Sequence, residues 1–389
     1  MSELKVNSIK GVGASSAAIT VNNTDGTCTA NITNNLSNRN LINNGAMQVA
    51  QRGTSSTVNG FGSIDRWQFN YGGHDNAITQ SKINVAPTET GAGTAGFRNA
   101  FRITNGDQSS GFGTTDYFQF QQMIEDQNIA NSGWIVNDSN SNITLSYWIR
   151  SSVAQEFFGF VETYHGDDWM YGWSTGVLTA DTWTKITKTI SGRSNLTWGN
   201  DNGNGLLVAP VTLWGTNYTD SSVGNDAWHQ YFSSSRTPDA TSTWWTTNGA
   251  TVDITGVQVE VGSVATDFEH RSFAQELALC QRYFYMMVNA SDGQKPVLTA
   301  TCYTDGSLFG QRSFPVTMRA NPSVYQVSSS AYYRAYGDNT SRTGDSVSIS
   351  VSGTTGCELE MSVSGTSVSR PYFIRTNDSN ARIGFSAEI

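Results

Sequence analysis

From Val252 to Val261 the chain reads VDITGVQVEV, with Val252, Ile254, Val257, Val259 and Val261 apolar and their neighbours polar or small. Alternation of this kind predicts a strand with one face on a core. The phase slips at Thr255–Gly256, where a β-bulge fits. Ser272 then stands as an N-cap with Gln275 three positions later, the reciprocal pattern of a capping box. Phe273, Leu277, Cys280, Phe284 and Met287 follow at spacings of four, three, four and three, which puts them on one face of a helix predicted over 273–289.

Residues 41–272 carry strand signals at regular spacing: Arg66–Asn70, Phe97–Thr104, Tyr117–Met123, Ile143–Arg150, Phe157–Val161, Trp183–Ile190, Leu206–Trp214 and Val252–Val261. Short strands separated by turn residues predict a β-sandwich. All 11 tryptophans fall between Trp67 and Trp245, which sets this unit apart from both ends. Residues 290–389 predict a second β-sandwich, with strands at Val297–Cys302, Ser313–Met318, Ser323–Val327, Ser346–Val351, Cys357–Val363, Tyr372–Thr376 and Ala381–Ile389. Residues 1–40 hold three weak strands, around Leu4–Ile9, Ala18–Val21 and Thr27–Ile32, too few to bury a core alone. That segment and the lone helix both need a partner surface. A homotrimer is expected, with Phe273, Leu277, Cys280 and Phe284 packed inward.

Composition narrows the function classes. A chain of 389 residues holds two or three domains. Charged residues make up 14%, against roughly 25% in an ordinary soluble domain. The net charge of −9 disfavours a nucleic-acid partner, because phosphate binding wants a basic face. No run of about 18 apolar residues is present to span a membrane, and MSELKVNSIK lacks the apolar stretch of a signal peptide. Cys28, Cys280, Cys302 and Cys357 are scattered without CxxC spacing, as expected of reduced, buried thiols.

Several ungapped pieces occur in an order that resembles bacteriophage tail-fibre and receptor-binding proteins of the marine type. They are Asn40–Gly45 (NLINNG), Ala46–Gly53 (AMQVAQRG), Asp65–Trp67 (DRW), Leu145–Trp148 (LSYW), Val257–Gly262 (VQVEVG), Ala265–Arg271 (ATDFEHR) and Glu276–Tyr283 (ELALCQRY). The resemblance implies a virion tail protein made in the host cytoplasm. It implies a middle domain that is a jelly roll similar to carbohydrate-binding modules, docking to tail or baseplate proteins through residues 1–40, and a distal tip at 290–389. The expected ligand is host surface glycan, with no cofactor and no catalytic residue. The alternative is a tailspike-like glycan depolymerase, although such spikes are usually built from a repeat that this chain lacks.

Two clusters are candidates for recognition. Thr163–Trp173 (TYHGDDWMYGW) offers Tyr164, His165, Asp167, Asp168, Trp169 and Tyr171, combining flat rings for sugar C–H faces with carboxylates for hydroxyls. The competing reading is a loop anchored by its aromatics; a hydrolytic one pairs Asp167 or Asp168 with Glu162. Ser328–Gly344 offers Tyr332, Tyr333, Arg334 and Tyr336, the composition of an adaptable recognition loop or of plain cross-strand packing.

Other motifs carry less. Gly91, Gly93 and Gly96 spell GxGxxG, but Pro87 precedes them and a strand-like segment follows, which predicts a loop. Gly172–Gly176 spells GxSxG without the strand-to-helix turn of a nucleophile elbow, and predicts a hairpin turn. The four histidines are isolated and no metal site is expected. Asn43, Asn44 and Asp253 offer oxygens for a structural calcium, without a supporting spacing.

Overall fold

The computed structural model describes residues 38–291 and 294–389, together with residues 6, 8–10, 12, 19–21 and 28–30 of the first 37. Near the N-terminus, β1 (Ser8–Ile9), β2 (Ile19–Val21) and β3 (Cys28–Ala30) form a small antiparallel sheet. Leu4 lies outside the described residues.

The first sandwich contains β4 (Ser55–Ser56), β5 (Gln68–Gly72), β6 (Thr79–Asn84), β7 (Asn99–Thr104), β8 (Tyr117–Glu125), α1 (Asp126–Ala130) and β9 (Asn142–Ser151). It continues with β10 (Glu156–Thr163), β11 (Trp169–Val177), β12 (Thr184–Ser191), β13 (Asn204–Trp214), β14 (Ala227–Gln230) and β15 (Thr251–Val261). Two six-stranded sheets result, ordered β14-β11-β10-β13-β8-β5 and β12-β9-β15-β7-β6-β4, and the chain crosses repeatedly between them in the jelly-roll manner. Their inner faces share one core, in which Trp67 stacks on Phe120 at 4.4 Å and Trp173 donates from Nε1 to Tyr147 Oη at 3.0 Å.

The expected bulge in β15 is present. Pairing with β9 slips between Thr255 and Gln258, and Gly256 takes φ +64. A Cβ at Gly256 would meet the Phe97 ring at 2.4 Å, so glycine is required there for both conformation and space.

Helix α2 (Phe273–Gln281) opens with the capping box read from Ser272 and Gln275. It stops eight residues sooner than the sequence pattern predicts. Phe284 begins β16 (Phe284–Asn289), where Phe284 pairs with Ser386 and Tyr285 with Phe385. Phe284, Met286 and Val288 also alternate, and pairing to a waiting strand wins over a third helical turn. The expected trimer contacts change accordingly. Cys280 and Phe284 are fully covered within a single chain, Phe284 lying 3.5 Å beneath the Arg52 guanidinium. Leu277 is half-buried and Phe273 remains 56% exposed.

The second sandwich holds β17 (Pro296–Thr304), β18 (Ser307–Ser313), β19 (Ser323–Val327), β20 (Tyr333–Gly337), β21 (Thr340–Gly344), β22 (Ser348–Ser352), β23 (Gly356–Ser362), β24 (Pro371–Thr376) and β25 (Arg382–Ser386). A three-stranded sheet, β16-β25-β19, covers the inner face of a seven-stranded one, β21-β20-β24-β17-β18-β23-β22. The strand expected at Ser313–Met318 is instead β18, displaced toward the N-terminus.

The two sandwiches are clasped by buried ions. Glu125 accepts from Arg282 Nε and Nη2, both at 2.8 Å, and from Tyr283 Oη. Arg66 is buried, pairs with Glu388, and lies 3.4 Å from the Tyr283 ring centroid. Burial pushes Asp65 up to about 6 despite the Arg52 charge nearby.

Candidate functional site

Alternation assigns a face to each residue of the β14-β11-β10-β13-β8-β5 sheet. Phe118 and Phe120 of β8, Phe157 and Val161 of β10, and Tyr171 and Trp173 of β11 point into the core. The opposite parity therefore lies on the outer face: Tyr117, Gln119, Gln121 and Met123; Phe160 and Glu162; Met170. A second, smaller apolar strip runs along that outer face, made of Met123, Phe160, Met170, Leu207 and Ala209, with Tyr231 and Ile389 packed on it.

Beside this strip the outer face becomes polar and aromatic. A cleft of about 260 Å³ is lined by Asn70, Tyr117, Gln119, Trp214, Tyr218 and Arg236. Tyr117 stacks on Trp214 at 4.9 Å and 14°, and Tyr218 stands edge-on to Trp214 at 5.2 Å. The Arg236 guanidinium lies 4.4 Å from the Trp214 centroid and 5.4 Å from those of Tyr218 and Tyr231. The floor continues as an amide row in which Gln121 Nε2 donates to Gln68 Oε1 at 2.7 Å.

Glu162 sits across Arg236 from the cleft and is only 7% exposed. Burial above all pushes its carboxyl up to about 7, with Arg236 opposing and Asp168 adding to the rise. The neighbouring Tyr164 hydroxyl is also pushed well up by burial and by the Glu162 charge. The groove thus offers ring faces, amides that both donate and accept, a guanidinium, and a largely buried carboxyl group. That is the equipment for holding a polyhydroxylated ligand on a shallow surface.

The structure divides the sequence-predicted cluster at 163–173. It is a hairpin, with Tyr164, His165, Asp167 and Asp168 in the turn between β10 and β11. Tyr164 and Asp168 border the Glu162 end of the groove. His165 is tied instead to the buried carboxylate of Asp126. Trp169 and Tyr171 are on the inner side of β11, so they are not on the groove. Trp169 lies 3.7 Å from the Arg193 guanidinium and Tyr171 is a core residue.

The Ser328–Gly344 cluster is likewise corrected, because much of it is strand. Tyr333 is buried in the second core and donates from Oη to Val327 O and Arg382 O at 3.2 and 3.1 Å. Tyr332 is half-buried against that core, while Arg334 and Tyr336 face outward on the seven-stranded sheet. The two predicted clusters stand in different sandwiches and do not form one site.

Of the remaining motifs, Gly91–Gly96 is a turn between β6 and β7, as expected. GxSxG is not a turn: Gly172–Gly176 lies within β11. Both Asp253 oxygens are taken by Arg102 and Arg150, and the Asn44 amide donates to Val49 O and Asp65 O, so Asp253 and Asn44 hold structure together. No cluster of three or more potential metal-ligating side chains occurs among the described residues.

No protein-family model and no curated protein matches the sequence. Solved structures give distant likenesses over part of the chain. The enzymatically active domain of a tailspike protein from bacteriophage CBA120 aligns with 57% of this chain at 11% identity and a TM-score of 0.31, and the alignment spans only 21% of the tailspike chain. A family 61 carbohydrate-binding module in complex with β-1,4-galactotriose aligns over 58% of this chain and 99% of its own, at 8% identity and a TM-score of 0.28. The family 11 carbohydrate-binding module of a Clostridium thermocellum cellulase aligns over 56% and 98%, at 12% identity and a TM-score of 0.24.

Proposed function

We propose that this chain is a glycan-binding adhesin of a bacteriophage tail, and that the outer face of the β14-β11-β10-β13-β8-β5 sheet is its sugar groove. One observation carries the reading. Polar and aromatic side chains from several strands and from the 215–236 segment converge on a shallow face, next to the largely buried carboxyl of Glu162.

The tail-fibre part of the proposal rests on the ordered motifs from NLINNG to ELALCQRY. In this reading residues 1–40 attach the protein to the tail or baseplate, the chain works as a homotrimer in the virion, and its ligand is host surface glycan. It binds and does not cleave. A shallow site reaches only about millimolar to micromolar affinity, and several copies per particle raise avidity by about 10² to 10⁴.

A depolymerase is the second reading, favoured by the Glu162 carboxyl at about 7 with Asp168 near it. One experiment serves both: titrate purified protein with host surface polysaccharide, and assay the mixture for new reducing ends. Heat of binding with no new ends supports the adhesin. New ends that vanish in Glu162→Gln support the enzyme, and no binding at all overturns both.

A further inference from the structure

The charge lining the groove's cleft runs against that of the chain. The sequence carries 32 acidic residues against 23 Lys and Arg. Among the residues that line the cleft, Asn70, Tyr117, Gln119, Trp214, Tyr218 and Arg236, there is one cation and no carboxylate. Charges in solution are screened over about 8 Å at physiological salt, so this local balance, and not the net −9, decides what the cleft accepts.

Arg236 is held by rings. Its guanidinium lies 4.4 Å from the Trp214 centroid and 5.4 Å from those of Tyr218 and Tyr231, and its Nε is buried with no acceptor among the described residues. Its backbone is fixed as well, donating from N to Tyr218 O at 2.9 Å. Arginines elsewhere in the chain lean on carboxylates: Arg66 on Glu388, Arg102 on Asp253, Arg282 on Glu125. Arg236 closes no such ion pair among the described residues. Glu162, across Arg236 from the cleft, couples to it by charge alone. A guanidinium stacked in this way has little rotamer freedom left to lose and is weakly hydrated, and its planar fork matches a pair of acidic oxygens. A neutral sugar would use the rings and amides of the cleft without needing a cation.

We infer that the cleft takes an acidic sugar unit, with a carboxylate or sulfate substituent on the Arg236 guanidinium and hydroxyls on the amides of Asn70 and Gln119. Those two amides belong to residues paired across β5 and β8, so they present side by side on one face. At about 260 Å³ the cleft falls just under the roughly 300–1,000 Å³ of drug-sized pockets, which suits one unit of a longer chain. The inference rests on the groove proposed above and adds the class of glycan it selects.

The test is calorimetric titration of full-length protein with matched polymers. Polygalacturonate is compared with the same polymer after its carboxyl groups are reduced to primary alcohols, and dextran sulfate with dextran. Wild type should bind the acidic member of at least one pair about tenfold more tightly than the neutral member, and which pair it is tells uronate from sulfate ester. The preference should shrink on raising the salt to about 0.5 M. Arg236→Gln should abolish it, and Arg236→Lys, which keeps the charge without the fork, should retain part of it. Because Arg236 packs on Trp214, a thermal melt accompanies each variant, and the wild-type comparison of matched polymers decides even where a variant does not fold. Equal affinity within both pairs, a preference that survives in Arg236→Gln, or binding to none of the four polymers overturns the inference. Host surface polysaccharide separates this result from the adhesin reading. Equal binding of that polymer by wild type and Arg236→Gln sinks the acidic-sugar inference alone, whereas no binding by wild type sinks the groove as well.

Discussion

Replacing Glu162 by glutamine should make the first sandwich more stable and the protein a poorer binder. The carboxyl has an ordinary value of 4.5 and is held at about 7 in the fold, chiefly by burial. Between those values the folded state carries more protons than the unfolded one, so stability falls as pH rises. The contribution is fully present below about 4.5 and has been lost by about 7. At roughly 1.4 kcal/mol per pH unit, a rise of that size is worth at most about 3 kcal/mol at pH 8. The open rim of the groove and the loss of a partner for Arg236 reduce this to about 1–3 kcal/mol. The assay is denaturant unfolding at pH 4 and pH 8, followed by tryptophan fluorescence. Since all 11 tryptophans lie between Trp67 and Trp245, the signal reports the first sandwich alone. Wild type and Glu162→Gln should coincide at pH 4 and diverge at pH 8 with the variant more stable, while its glycan affinity falls. Equal pH slopes, or a variant that is weaker at pH 8, would refute the reasoning.

Other perturbations follow from the same geometry. Arg282→Ala strands the fully buried Glu125 carboxylate, and should cost about 3–5 kcal/mol and separate the two sandwiches into distinct calorimetric transitions. Gly256→Val forces a β-branched residue into φ +64 and against Phe97, and should lower the melting temperature of the first sandwich by at least several degrees, whereas the same change at the exposed Gly224 should not. Tyr171→Ala should destabilise by about 3–5 kcal/mol as a core truncation, whereas Asp167→Ala in the adjoining turn should leave the unfolding midpoint unmoved.

Strand phase was readable wherever it was pinned by strong alternation. The β15 pattern from Val252 to Val261 carries its bulge in plain view, because a slip of period two at a glycine has few other meanings. Phe284–Met287 was not readable, since the same residues satisfy both a helical and a strand period, and only β25 in the fold decides between them. The hairpin at 163–169 looked like a loop because its rings and carboxylates are adjacent in sequence. In a strand such neighbours point to opposite faces, and Trp169 and Tyr171 went inward. The groove itself was out of reach. Asn70, Tyr117, Gln119, Trp214 and Arg236 are spread over more than 160 positions, one or two per segment, and only the strand order brings them together. The one signal available was the polar phase of β8, where Tyr117, Gln119 and Gln121 alternate with Phe118 and Phe120.

The most direct test of the sugar groove is calorimetric titration of host surface polysaccharide into wild type, Tyr218→Ala and Arg334→Ala. Tyr218 lines the cleft with one edge open to solvent, and Arg334 lies on the other sandwich. Loss of one stacking ring should weaken binding by about tenfold, with the melting temperature unchanged, while Arg334→Ala keeps the wild-type affinity per chain. Undiminished binding by Tyr218→Ala, together with loss in Arg334→Ala, would place recognition on the second sandwich and contradict the groove.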